Sequence, residues 1–307
     1  MKSNKTPYNR QAELMLQILP FVMKCDCFAL KGGSAINFFL RDLPRLSIDI
    51  DLTYLPIQKR ETTIEKISES MKNIAEMVSR SFRDLKVIPR KQSKTNLWHG
   101  LIMQLDGALV KIEPNLIVRG CVFPCETRQL SPTAENTFEM SMMIKTLSLA
   151  DLYGGKICAA LDRQHPRDLF DIKLLFENEG LTESIRKAFI VYLISHNRPI
   201  YELLAPNRID IKHIFDNEFH GMTNTHVTLD ELVTIREQLI LKIKTDLTLE
   251  EKKFLLSIKK REPDWHLLGI EGIEKLPSVQ WKLLNLNKMN CLQYQKALNQ
   301  LQNTLEI

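Results

Sequence analysis

No uninterrupted apolar stretch in this chain of 307 residues is long enough to cross a bilayer, which argues against a membrane-spanning helix. The opening segment, MKSNKTPYNRQAE, lacks the apolar run of a signal peptide, so the chain is expected to be cytoplasmic. Cysteine is sparse and scattered, at positions 25, 27, 121, 125, 158 and 291. Cys25-x-Cys27 and Cys121-x3-Cys125 could meet around zinc, but the reading taken is reduced thiols of a cytosolic protein. Internal repeats, low-complexity segments and coiled-coil runs are also lacking. Neither charge sign dominates: 42 basic against 37 acidic residues leave a net +5, a mild basic bias that is compatible with an RNA or nucleotide partner without requiring one. The apolar share of 44% and charged share of 26% are ordinary for a globular chain, long enough for one large domain or two modest ones.

The informative stretch is GGSAINFFLRDLPRLSIDID, residues 32 to 51. Gly32 and Gly33 allow a backbone to approach an anion closely, and Ser34 sits where a helix begins, with its free N–H groups facing outward. Asp49 and Asp51 alternate with Ile48, Ile50 and Leu52, which reads as a strand with both carboxylates on one face and the apolar residues in a core. Two adjacent carboxylates repel unless a cation holds them, and hard oxygen donors at this spacing suit magnesium.

Residues 10 to 24, 34 to 40 and 61 to 83 read as helices, with a short strand at Phe28 to Leu30. LIMQLDGALVKIEPN reads as a hairpin turning at Asp106-Gly107, which ends its second arm near Glu113. After Cys125 the pattern is helical to the end. Ser148-x-x-Asp151 resembles a capping box for LADLYGGKICAALDR, in which Gly154 and Gly155 suggest close packing or ligand approach. Pro166 opens RDLFDIKLLFEN, whose Arg167, Asp168 and Asp171 neighbour one another on the helix surface as an ion-paired start. Basic residues cluster at Arg80 to Lys94 and at Lys252 to Arg261, and Trp265 and Trp281 are expected to anchor a core.

Taken in order, Gly32-Gly33-Ser34, Arg45-x-Ser47-x-Asp49-x-Asp51-Leu52, Asp151-x4-Lys156 and Arg167-Asp168-x-x-Asp171 resemble the AbiEii/AbiGii toxin family, nucleotidyltransferases of abortive-infection and type IV toxin–antitoxin systems. The motifs span roughly residues 28 to 178, and the EPDW…WKL segment also looks family-like. The resemblance implies an α/β (α+β-like) nucleotidyltransferase fold: a mixed sheet in a catalytic domain over residues 1–130, and a mainly helical domain over 131–307 that completes the NTP cleft. It implies that Asp49 and Asp51 hold magnesium with Glu113 as the third carboxylate of a two-metal site. It also implies that Gly33 and Ser34 bind phosphate, that Lys156 contacts the triphosphate beside Arg167 and Asp168, and that Asp171 acts as base or organiser.

The function expected is transfer of a nucleoside monophosphate from NTP to an RNA acceptor, a tRNA 3′ end leading, by a growth-inhibiting toxin whose antitoxin is a transcriptional regulator from a neighbouring gene. A protein or small-molecule acceptor, or a non-catalytic nucleotide-binding module, are the alternatives. The intact Asp-x-Asp argues against the last, because binding alone would not require paired metal ligands.

Overall fold

The computed structural model describes residues 7–307. Residues 1–6, part of the opening segment read above as carrying no signal peptide, lie outside the described residues. The chain divides into two compact units, one ending at Ser148 and one spanning Leu149–Ile307.

The first unit contains α1 (Pro7–Met23), β1 (Phe28–Lys31), α2 (Gly32–Ala35), β2 (Ile50–Tyr54), α3 (Arg60–Ser81), β3 (Lys86–Lys91), β4 (Trp98–Leu105), β5 (Ala108–Asn115), β6 (Glu126–Gln129), α4 (Pro132–Phe138) and β7 (Met143–Thr146). A π-helical turn, Ile36–Leu40, continues α2. The seven strands form one mixed sheet in the order β3-β4-β5-β2-β1-β7-β6. Strand β2 runs parallel to β5, and β1 parallel to β7, while the other neighbours are antiparallel.

The β4–β5 hairpin forms where Asp106-Gly107 predicts it, because both residues take positive φ (48° and 78°), the combination that a tight hairpin turn favours. Helix α3 buries Ile67, Met71, Ile74 and Val78 at steps of four and three, and it packs on β4. Helix α1 buries Leu14, Met15, Ile18, Leu19 and Val22 and packs on β5. Each such side chain taken fully out of water contributes about 1.5–3 kcal/mol.

The expectation of unbroken helix after Cys125 is corrected by β6 and β7. They pair with each other, and β7 adds to β1 at Leu30↔Thr146. Each is four residues long, and the largely exposed ETRQ of β6 has no apolar alternation, so the pairing partner rather than the local pattern makes these segments strands. The sheet-bearing unit therefore runs on past residue 130, through β7 to Ser148.

The second unit is built from α5 (Leu149–Arg163), α6 (Pro166–Asn178), α7 (Glu183–Ser195), α8 (Ile200–Leu204), α9 (Lys212–Ile214), α10 (Leu229–Asp246), α11 (Leu249–Lys260), α12 (Pro277–Asn287) and α13 (Cys291–Leu305). Gly154 of α5 lies so close to α7 that a Cβ there would sit 2.9 Å from the Ala188 carbonyl carbon and the Phe189 nitrogen, so this glycine serves helix packing. Pro166 opens α6 as predicted, and His165 caps it by accepting the Arg167 N–H at 3.1 Å. Helices α10 and α11 each begin with a capping box, Thr228 with Glu231 and Thr248 with Glu251. Trp265 packs on Phe254, but Trp281 is 44% exposed and is no core anchor.

Candidate active site

Strand β2 begins at Ile50, with Asp49 immediately before it. Ile50 and Leu52 are fully buried while Asp49 and Asp51 are half-buried, so the predicted alternation holds from Asp49 onward, whereas Ile48 is half-buried rather than in the core and Asp49 lies just outside the strand. Across the sheet, Asp51 lies level with Lys31 on β1 and with Glu113 on β5. The start of α2 is built around this strand. Gly32 has φ +71°, and a Cβ on it would stand 2.5 Å from the Asp51 Oδ2 oxygen. Only glycine satisfies both the backbone angle and the carboxylate above it. A Cβ on Gly33 would meet Ser47 Oγ at 2.8 Å and the Arg45 guanidinium at 2.9 Å.

Ser34 is buried, and its hydroxyl donates to the Asp49 carbonyl and lies 3.1 Å from Ser47 Oγ. That hydroxyl ties the segment carrying Asp49 to the helix start. No side chain of Lys31, the residue preceding α2, caps the helix. The Arg45 and Ser47 positions entered the sequence motif without a task; here they brace Gly33 and Ser34 from the side.

Two hard oxygen donors one residue apart fit a hard divalent cation. Glu113 stands at the register position a third carboxylate would need, but its side chain is ion-paired with Arg90. Arg90 pairs on β4 with Gly100, where a Cβ would stand 2.8 Å from the Ile112 carbonyl oxygen of β5, so this glycine serves the close approach of the neighbouring strand. Among the described residues no group of three or more His, Cys, Asp or Glu side chains is arranged to hold a metal. The donors that fit are therefore Asp49 and Asp51, while Glu113 already has its Oε1 oxygen on Arg90.

In the second unit, α5 and α6 bring a compact charge cluster together. Lys156 Nζ reaches Asp168 Oδ1 and Asp171 Oδ2, each at 2.9 Å, and the three side chains are 7%, 1% and 0% exposed. Arg163, at the end of α5, grips Asp168 with Nε at 2.5 Å and Nη2 at 3.0 Å. Burial alone would raise the Asp168 carboxyl, but Lys156 and Arg163 outweigh it and hold the group well below the usual carboxylate range. Asp171, expected to neighbour Arg167 along one helix face, is thus paired across helices with Lys156. Arg163 was not singled out from sequence. A basic residue closing one helix, five positions before an acidic one opening the next, was the available signal. Asp151 accepts the Tyr192 hydroxyl of α7 at 3.1 Å, and Arg167 is half-buried in the first turn of α6.

This geometry can be set beside known proteins. The solved structure of MenT4, a nucleotidyltransferase toxin from Mycobacterium tuberculosis H37Rv, is similar with a TM-score of 0.60 at 14% identity, covering 91% of this chain and 93% of that one. At that identity the likeness speaks for the fold alone. No curated protein sequence matches. A sequence profile described as nucleotidyl transferase AbiEii toxin, type IV toxin–antitoxin system, matches residues 13–285, the stretch that carries the sheet, the aspartate pair and the Lys156 cluster. With that span matched, the chain belongs to the AbiEii family of nucleotidyltransferase toxins.

Proposed function

We propose that the protein moves a nucleoside monophosphate from a nucleoside triphosphate to RNA, with a tRNA 3′ end as acceptor and pyrophosphate leaving, in a magnesium-dependent reaction. In this reading it acts in the cytoplasm as a growth-inhibiting toxin, and its antitoxin is a transcriptional regulator from a neighbouring gene. The observation that carries the proposal is the Asp49/Asp51 pair, half-buried on one face beside a glycine whose lack of a side chain makes room for it.

Asp49 and Asp51 would hold magnesium, which when bound neutralises charge on the phosphoryl oxygens. The N–H groups of Gly33 and Ser34 would donate to phosphate oxygens, as helix starts commonly do. Ser34 and Ser47 keep the Asp49 segment against that start. Lys156 would contact the triphosphate, with Arg167 beside it. Asp168 and Asp171 fix the direction of its ammonium group. A carboxylate paired with a buried lysine is a weak base, so Asp171 organises Lys156 rather than accepting a proton from the acceptor hydroxyl.

The test supplies each α-labelled NTP in turn with total bacterial RNA and magnesium. Label is expected in tRNA-sized species and is expected to vanish with a chelator. Asp49→Ala and Asp51→Ala should each reduce labelling by about 100-fold or more while leaving the thermal melt unchanged. Full labelling by both variants would overturn the metal assignment. Label on protein, or none on RNA with any NTP, would overturn the RNA acceptor and leave the nucleotidyltransferase class standing.

A further inference from the structure

Far along the chain from the proposed catalytic residues, the second unit contains a cavity of about 110 Å³ lined by parts of α8, α11, α12 and α13. Its walls are mostly apolar and include Ile200, Leu286, Met289 and Leu301, yet two lysines, Lys259 and Lys282, also line it. Both lysines are buried, at 6% and 7% exposure. Among the described residues neither forms an ion pair. Lys282 gives two of its N–H groups to backbone carbonyls, His196 O at 2.6 Å and Arg198 O at 2.7 Å. Lys259 reaches only the Met289 sulfur at 3.6 Å, a weak acceptor, and sits 5.5 Å from the Tyr294 ring centroid. The nearby carboxylate, Glu202, is already engaged by Arg198 and by the Tyr201 hydroxyl. Arg261, stacked on Tyr294 at 4.2 Å, adds another positive charge.

Two buried ammonium groups with no carboxylate in direct contact are an unusual thing for a helical core to retain. We propose that this cavity is a binding site for a small carboxylate with an apolar body, its carboxylate held between Lys259 and Lys282 and its body against the aliphatic wall. An ammonium carries three donors, and Lys282 has already committed two, so few strong donors remain. That number suits a monoanionic carboxylate better than a phosphate dianion. Burial, and then the charge of Lys259, push Lys282 down to about 8, so it is mainly protonated at neutral pH and loses its proton above that value. Around Lys282 stand Lys259, Glu202 and the His196 imidazole, which burial first of all holds low; an anion binds the protonated lysine, so affinity should decline as pH rises through about 8.

Benzoate, its neutral isostere benzamide, and inorganic phosphate are suitable probes, followed by calorimetry and by thermal melting of the full chain. Benzoate should bind and raise the melting temperature. Benzamide should bind at least tenfold more weakly, and phosphate should not displace benzoate. Lys282→Met and Lys259→Met should each weaken benzoate at least tenfold; Lys259→Met should do so without lowering the melting temperature of the unliganded protein, whereas Lys282→Met also strips the His196 and Arg198 carbonyls of their donor and should lower it. Equal binding of benzoate and benzamide, undiminished binding in both variants, displacement by phosphate, or no benzoate binding at all would each overturn the proposal. None of these readings depends on nucleotidyl transfer.

Discussion

Lys156 stands between two carboxylates with almost no solvent around it, and removing it takes the lysine from the buried Asp171 while Arg163 still holds Asp168. Lys156→Met should lower the unfolding free energy by about 3–5 kcal/mol in urea denaturation, because an uncompensated buried charge is worse than none. Lys156→Arg keeps the charge, so a fold that survives with slowed transfer would separate contact with the triphosphate from mere support. Asp168 yields a pH prediction. Its folded carboxyl titrates below the unfolded one, so its ionisation stabilises the fold above the unfolded value near pH 3.9 and that contribution fades as pH falls toward the folded value. The stability gap between wild type and Asp168→Asn should be full at about pH 6 and shrink on acidification from about pH 4, as read by thermal melts. The aspartate pair was legible because alternation with isoleucine and leucine is a local pattern. The hold of Arg90 on Glu113 was not, because it spans three strands and depends on their register.

At the scale of elements, two adjacent glycines of α5 behave oppositely. A Cβ on Gly154 would press on the α7 backbone at 2.9 Å, whereas one on Gly155 would make contact with the Tyr192 ring at 3.4 Å. Gly154→Ala should destabilise by about 1–3 kcal/mol through forced separation of the helices. Gly155→Ala should be neutral or gain up to about 1 kcal/mol from helix propensity. Chemical denaturation of the two variants checks both, and equal effects would contradict the packing described. The sequence pointed to close packing at this pair but could not assign it to one glycine, because which face meets α7 is a tertiary fact. Turn chemistry at Asp106-Gly107 and the proline at Pro166 made the hairpin and α6 readable, while β6 and β7 had no such local signal.

For the whole molecule, no described helix is long and apolar enough to cross a membrane, and the excess of charge is positive. An RNA acceptor must bring its phosphates to basic side chains, so labelling should fall at least about tenfold between 50 and 200 mM salt. A small-molecule acceptor would show little salt dependence. Expression of the wild type should arrest bacterial growth and Asp51→Ala should relieve it, with colony counts as the readout; arrest by the mutant would favour a non-catalytic binding protein. The basic stretch from Lys252 to Arg261 is less of a solvated track than its sequence suggests, since Lys259 is buried and Arg261 lies over Tyr294. The first stretch has likewise lent Arg90 to Glu113. Composition records how many cations a chain has, and only packing shows how many remain for a partner.

The crowding of Gly32 by Asp51 also governs how this gene can vary. Position 32 and position 107 are both glycines at positive φ, yet the first faces a carboxylate oxygen and the second faces open space. In a saturation library selected for activity, Asn and Asp should persist at 107 and every replacement at 32 should drop out. Escape by a companion change would have to move Asp51, which the reaction is proposed to need. Position 32 is thus closed to stepwise drift, although its own atoms need never touch a substrate.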